Sequence, residues 1–327
     1  MTSLSSNSLP GVQGKTVVVI GGLGFVGSHV VRGLVLAGAR PHLFGPRMAE
    51  DRLADIRGSF DFHEGSIESR DALRDVFRTS GARMAVSCAA HGVGRLGLMR
   101  SGEADADAAM AINVMGLHKL LDIALEVGVQ RVVWTSSTVV YGPSQLYPKQ
   151  PVDESAMLAP TTFYGLTKTM AEEIGAYYVR RHQLSAVGLR LPLILGPGLW
   201  YEGAAAALAK LFEAAESGMP YVLNTHNELI DLMHVSDVGL AVVRVLGHDG
   251  PLRPVYNLEG FKARASDLIA EVNRHRPDLK ILLDEVPPAT LFPLISGASL
   301  CNDVGFVPKF DREAFVEAML KKDPNND

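Results

Sequence analysis

Tyr164 and Lys168 stand four residues apart in Tyr164-Gly165-Leu166-Thr167-Lys168, and Ser137 lies twenty-seven residues upstream. On a helix that spacing puts both side chains on one face, a turn apart. A phenol titrates near ~10, so acting as a base near neutrality needs a shift of roughly three units, about 4 kcal/mol. A neighbouring ammonium favours the phenolate and supplies much of that shift. Far upstream, Gly21-Gly22-Leu23-Gly24-Phe25-Val26-Gly27 follows a β-branched run and opens an apolar helix. Glycines there suit a tight turn and close approach to a pyrophosphate, and the helix N-terminus offers free N–H groups and a positive dipole. A Tyr-x-x-x-Lys pair alone is common on helices. Beside a dinucleotide cradle it is the equipment for proton exchange coupled to hydride transfer.

The elements that must position these groups follow from periodicity. Strands are expected at Lys15–Ile20, Arg40–Phe44, Asp61–His63, Met84–Ala89, Val129–Thr135 and Ala186–Leu191. Helices are expected at Phe25–Ala37, Arg70–Thr79, Asp105–Val127 and Thr162–Arg181, with a short one at Asp51–Ile56. This alternation predicts an α/β fold, a doubly wound parallel sheet with right-handed crossovers. After Leu191 the rhythm breaks at Pro192 and Gly196-Pro197-Gly198. An alanine-rich helix around 204–216 follows, then a helix and strand at Met233–Leu246 and Val255–Leu258. Ala265–Arg274, Ile281–Leu283 and Arg312–Leu320 come last. The expected organisation is a Rossmann domain of residues 15–191 plus about 230–260. Residues 192–229 and 261–327 form a smaller interleaved C-terminal lobe that takes the substrate, and residues 1–14 a disordered tail.

Composition limits the partners. The chain has 327 residues, a net charge of −5 and a pI near 6.1, which gives no footprint for nucleic acid or an anionic membrane. Cys88 and Cys301 are too few for a disulfide framework, and neither they nor the ten histidines show metal-ligand spacing. The N-terminal stretch lacks the basic start and apolar core of a signal peptide, and no apolar run approaches the ~20 residues of a membrane span. A cytoplasmic enzyme acting on a small molecule is the expectation.

The glycine spacing G-x-x-G-x-x-G, "INVMGLHKLL" with Asn113, "TSSTVVYG", "PTTFYGLTKTMAEE", "LRLPLILGPG", "LMHVSDVGLA" and "VYNLEG" appear in order. In these the chain resembles the extended short-chain dehydrogenase/reductase superfamily from about residue 15 to 320. The resemblance implies that Ser137 hydrogen-bonds the reacting oxygen and that Tyr164 exchanges its proton. It implies that Lys168 lowers the tyrosine pKa and holds the nicotinamide ribose, and that Asn113 holds a backbone or water relay. From the residues alone, Ser136 and Thr138 stand beside Ser137 as alternatives. By the same resemblance Gly21, Gly24, Phe25, Val26, Gly27, Ser66, Ile67, Ala89, Ala90 and Pro192 lie along the cofactor with Tyr164 and Lys168. Ser66 replaces the aspartate that many relatives set against the adenine. Relatives pair through the helices matching Asp105–Val127 and Thr162–Arg181, which implies a homodimer.

Departures narrow the chemistry. A site for NAD usually has an acidic residue after the second strand; Gly45 stands there, and Arg47 is available to a 2′-phosphate. NADP is expected, with NAD possible. Thr138-Val139 replaces the Asp-Glu of sugar dehydratases, which removes the acid and base that dehydration needs. Sugar-nucleotide epimerases carry asparagine and arginine where this chain has Pro192 and Ile230, although Arg264, Lys309 or Arg312 could replace that charge. Leu96, Leu98, Met99, Tyr147, Leu199, Trp200 and Tyr201 instead suggest an apolar pocket wall. His91 is either a nicotinamide-end lining residue or an ordinary loop histidine. The expected activity is hydride transfer to or from an alcohol or ketone of a small, fairly apolar molecule. The alternatives are an epimerase that retains its NAD while inverting a nucleotide sugar, and a non-catalytic nicotinamide sensor.

Overall fold

The chain is seen here as a computed structural model that describes residues 11–49, 51–203 and 205–321. Strands β1 (Thr16–Ile20), β2 (Arg40–Gly45), β3 (Asp61–Glu64), β4 (Met84–Ser87), β5 (Arg131–Ser137) and β6 (Ser185–Leu191) belong to the main sheet. Outside it are β7 (Leu193–Leu195), β8 (Tyr221–Thr225) and β9 (Ile230–His234). The late strands are β10 (Val255–Asn257), β11 (Phe261–Ala263) and β12 (Ile281–Glu285). The first helices are α1 (Phe25–Leu36), α2 (Arg70–Ser80), α3 (Leu98–Ala104), α4 (Ala106–Ala109) and α5 (Leu117–Glu126). They are followed by α6 (Phe163–His182), α7 (Ala206–Ser217), α8 (Val235–Gly247) and α9 (Ala265–His275), and by the short α10 (Ala298–Val304) and α11 (Arg312–Leu320).

Seven parallel strands run in the order β10-β6-β5-β4-β1-β2-β3. The order reverses between β1 and β4, and in such sheets a crevice opens beyond the carboxyl ends at that reversal. Strand β1 shows why both faces are covered. Val17 and Val19 join the core under α1 and α8, while Val18 and Ile20 join the core under α2, α5 and α6. Each such buried side chain contributes about 1.5–3 kcal/mol.

Beyond β6 the chain builds a second layer. β7, β9 and β11 form a small sheet, and β8 pairs in parallel with β12. A separate core of Leu211, Phe212, Leu268, Val272, Phe315 and Val316 holds it. Asp237, at the start of α8, accepts the Lys309 and Phe310 backbone N–H groups at 3.0 and 3.2 Å and fastens the last helix to the main sheet.

Four expectations need correction. Residues 11–14 are packed and not part of a loose tail: Val12 is fully buried, and Gly14 N–H donates to the Gly38 carbonyl at 2.8 Å. Residues 1–10 lie outside those described. Residues 54–59 form a 3₁₀ turn where a helix was expected at 51–56. Residues 230–234, expected with the main sheet, pair in the small one, because β7 offers them a parallel partner. The helix expected at 105–127 is regular only at its ends; Met110–Gly116 is a π-helix. Ala106–Glu126 as a whole is long and apolar enough to cross a bilayer, with a mean hydropathy of 1.4, but half of it is buried inside the fold, as in a core helix.

Candidate active site

At the carboxyl ends of β1 and β4 the glycine turn opens a cavity of about 410 Å³. Gly21 takes a φ of +74°, and a Cβ on Gly27 would stand 2.0 Å from the Gly21 carbonyl oxygen, so helix and turn close only without a side chain there. Gly24 caps α1 without any side-chain hydrogen bond. The first-turn N–H groups therefore keep their donors for an anion, and a dinucleotide pyrophosphate fits that donor set. Gly21, Gly24, Phe25, Val26, Gly27, Ser66, Ile67, Ala89 and Ala90 all line the cavity, together with Phe62, Met48 and Glu68. Four of the expected cofactor residues stand apart from the lining: Arg47, Pro192, and the pair Tyr164 and Lys168, of which Lys168 lines a smaller cavity next to it. Arg47 donates through Nε to Glu64 Oε2 at 2.8 Å and lies over the Phe62 ring. Pro192 sits between β6 and β7, away from the lining set.

Helix α6 carries the phenol and the amine. Thr162 Oγ1 accepts the Gly165 N–H at 3.0 Å, and Glu103 accepts the Phe163 N–H at 2.7 Å, so the first turn is capped from its own chain and from α3. Arg180, Arg181 and His182 face the negative end of the dipole in the last turn. Tyr164 is buried, and burial and nearby Tyr201 push its pKa well above the ordinary phenol value; the Ser137 hydroxyl, hydrogen-bonded to the phenol, pulls the other way. Lys168 Nζ donates to the Thr135 carbonyl at 2.7 Å and lies 5.5 Å from the Tyr164 ring centre. Burial lowers its pKa to about 8, while Cys88 and Glu172 raise it. Burial dominates at the phenol in this state, and Tyr164 carries its proton. The Cys88 thiol, pushed up to about 12 by burial, stays protonated as well.

Of the hydroxyls left open by the residues, Ser136 Oγ is committed to Glu172 Oε1 at 2.5 Å, whereas Ser137 Oγ accepts the Val139 N–H at 3.4 Å and lies near enough to Tyr164 to lower its pKa. Asn113 lies inside the π-helix, an irregularity common at functional sites. Its Oδ1 accepts the His91 N–H at 2.9 Å and its Nδ2 donates to Thr167 Oγ1 at 3.0 Å. Asn113, Thr135 and Lys168 also line a second cavity of about 10 Å³, close to the size of one water. His91 is thus held by its backbone; its Nε2 is buried with no hydrogen-bond partner among the described residues.

The expected apolar wall divides. Leu96, Leu98, Trp200 and Tyr201 line the cavity. Tyr147 belongs to a separate core with Tyr141, Val152 and Ile295, and its hydroxyl donates to the Met157 carbonyl at 2.8 Å. Leu199 packs in the core of the second layer, and Met99 is not in the lining. Arg264 donates to the Asn227 carbonyl and Arg312 faces Asp267 and Glu271; with Lys309, none of the three lines the cleft.

One feature that bears on the site escaped the sequence reading. Glu172, one turn after Lys168, forms a bidentate pair with Arg190 at 2.7 and 3.0 Å, both nearly fully buried. Arg190 also donates to Tyr141 Oη at 2.6 Å, and Tyr141 donates to Asn257 Oδ1 at 2.9 Å. An arginine inside the apolar strand "AVGLRL" was the available signal, since a buried charge demands a partner.

A doubly wound dinucleotide fold with a glycine cradle at its switch point, and Ser137, Tyr164 and Lys168 beside it on β5 and α6, defines the class: a nicotinamide-dependent α/β protein. Residues 17–258 match the family described as NAD dependent epimerase/dehydratase, and the chain belongs to that family. It is similar to the mitochondrial L-threonine 3-dehydrogenase of Bos taurus, 28% identical over 231 residues, 67% of this chain and 60% of that protein. The match therefore spans well under two thirds of that relative's length. It is also similar to the D-erythronate dehydrogenase of Cupriavidus necator, 29% identical over 268 residues, 79% of this chain and 81% of that protein. Among solved structures, the UDP-glucose 4-epimerase of Thermotoga maritima superposes with a TM-score of 0.79 at 19% identity, covering 93% of this chain and 97% of that one. That likeness is one of fold.

Replacing Glu172 by Gln leaves the Arg190 guanidinium buried without its counter-charge, a loss of about 3–5 kcal/mol. Chemical denaturation of E172Q is expected to show it, whereas an unchanged midpoint would mean that the pair is not what holds α6 on β5 and β6.

Proposed function

We propose that this chain is a nicotinamide-dependent oxidoreductase that moves hydride to or from the alcohol or ketone carbon of a small, fairly apolar molecule. The observation that carries the reading is a buried Tyr164 with the Lys168 Nζ 5.5 Å from its ring centre and the Ser137 hydroxyl near enough to lower its pKa, beside the dinucleotide cavity. The bound nicotinamide supplies or accepts the hydride. In the reducing direction Tyr164, protonated in its buried setting, donates to the carbonyl oxygen as negative charge develops there. Ser137 donates to the same oxygen and holds it against the phenol. The Lys168 ammonium then stabilises the phenolate left behind, and the Asn113 corner offers a route for the returning proton. No Lys or Arg among the described residues lines the main cavity, which favours an uncharged substrate.

The epimerase reading retains one supporting observation, a loop fastened over the cleft on both sides, which suits a cofactor that stays bound. Against it stand Pro192, Ile230 and the missing cations. We assign NADP as the preferred cofactor, because no carboxylate ends β2. The Arg47–Glu64 pair is exposed and worth at most about 1 kcal/mol, so a phosphate can compete for Arg47. We also propose a homodimer through Met115, Leu166, Met170 and Tyr177, large apolar side chains left exposed on the π-helix and α6. Two free thiols suit a reducing, cytoplasmic setting.

Three measurements test these statements. Tyr164→Phe is expected to cut carbonyl reduction about 10²–10⁴-fold while cofactor binding and melting temperature hold; turnover of a ketone panel unaffected by the change sinks the mechanism. Arg47→Ser should weaken NADP by about tenfold in a fluorescence titration and leave NAD unaltered, and equal loss of both would reverse the cofactor assignment. Light scattering is expected to give twice the chain mass, dropping to one chain in Leu166→Arg.

A further inference from the structure

Residues 197–203, after β7, cross the mouth of the cleft. On one bank Glu202 bridges Leu96 in parallel, its N–H donates to the Arg95 carbonyl at 2.7 Å, and Arg100 donates to the Glu202 carbonyl. Gly97 and Gly203 meet backbone to backbone, since a Cβ on Gly97 would lie 2.5 Å from the Gly203 Cα. On the other bank Arg52 Nε donates to the Gly198 carbonyl at 3.2 Å, and its guanidinium lies 5.7 Å from the Trp200 ring centre. His29 Nε2 contacts the Pro197 carbonyl at 3.0 Å.

This crossing carries Tyr201 into the cavity. Its ring stands edge-on to Phe25 at 6.2 Å and to Trp200 at 5.7 Å, so its direction is fixed by packing. Its hydroxyl makes no hydrogen bond to any described residue, and burial keeps the phenol protonated, with a pKa pushed up to about 12. It lines the cavity with Leu96, Leu98 and Cys88, and Leu98 opens α3, which abuts Tyr164: a Cβ on Gly102 would lie 3.0 Å from the Tyr164 backbone nitrogen. A rigid, neutral donor with no partner among the described residues, in the cavity beside the helix that abuts Tyr164, is a recognition group awaiting an acceptor.

Resting on the oxidoreductase reading, we propose that Tyr201 is the specificity-determining residue of the site, donating a hydrogen bond to a substrate oxygen other than the one Tyr164 serves. The class it selects is a small, uncharged oxo or hydroxy compound with a second oxygen near the reacting carbon. A charged group would enter without a cationic partner in the lining. A compound lacking the second oxygen would strip water from the Tyr201 hydroxyl and return nothing, the kind of mismatch by which polar sites reject analogues.

The test uses the full chain loaded with reduced cofactor, titrated through nicotinamide fluorescence. The probes are acetoin, a ketone with an adjacent hydroxyl, and 2-butanone, the same carbon skeleton without it. Acetoin is expected to bind about ten- to a hundredfold more tightly. Tyr201→Phe keeps the ring against Phe25 and Trp200, so cofactor binding should persist while the preference for acetoin collapses to near unity. Equal binding of the two probes by the native chain, no response to either, or a preference that survives Tyr201→Phe would each overturn the proposal. Failure of the native chain to bind reduced NADP or NAD at all would overturn the oxidoreductase reading along with it, a result distinct from any of these.

Discussion

An ammonium kept out of water sets the terms for everything around it. Lys168 has lost its hydration, and it is held by one carbonyl, Thr135, and by the field of Glu172 one turn on. Glu172 is itself buried and needs Arg190, which in turn reaches Tyr141 and, through it, Asn257. One chain of charge-assisted contacts therefore ties α6 to β5, β6 and β10. Buried ion pairs are weak sources of stability because desolvation offsets most of the attraction. Their contribution here is to register: α6 has one position on the sheet that leaves neither charge orphaned, and in that position Tyr164 meets Ser137.

The sheet supplies the other half of the site. Reversal of strand order between β1 and β4 parts the loops on either side, and the glycine turn then brings backbone where side chains would block it. Reactive groups from β5 and α6 reach the edge of that opening without entering the dinucleotide cradle. The cradle works with backbone donors and tolerates a cofactor of fixed shape. The reacting corner works with side chains in a dry setting, where each donor acts more strongly than in water.

Much of this was legible in the chain because long-range burial leaves a local trace. A strand covered on both faces reads as an unbroken apolar run, as Val17–Ile20 does, and a backbone-to-backbone contact reads as glycine, as at Gly21 and Gly27. The paired helices announced themselves by period. The second layer was less readable, since β7 and β11 have three residues each and owe their conformation to β9, far away in sequence. The π-helix around Asn113 left no composition signal. Arg47 was read as an open cation from its place after β2; only the fold brings Glu64 beside it, through the β2–β3 register. Tyr201 looked like one more wall aromatic, and its place against Phe25 and Trp200 in the cavity depends on a loop pinned from two sides.

That doubly pinned loop separates occupancy from exchange. A dinucleotide held in the cavity would leave only when contacts on at least one bank are released, so its residence time would be set in part by Arg52, Arg95 and Arg100 at the banks of the loop.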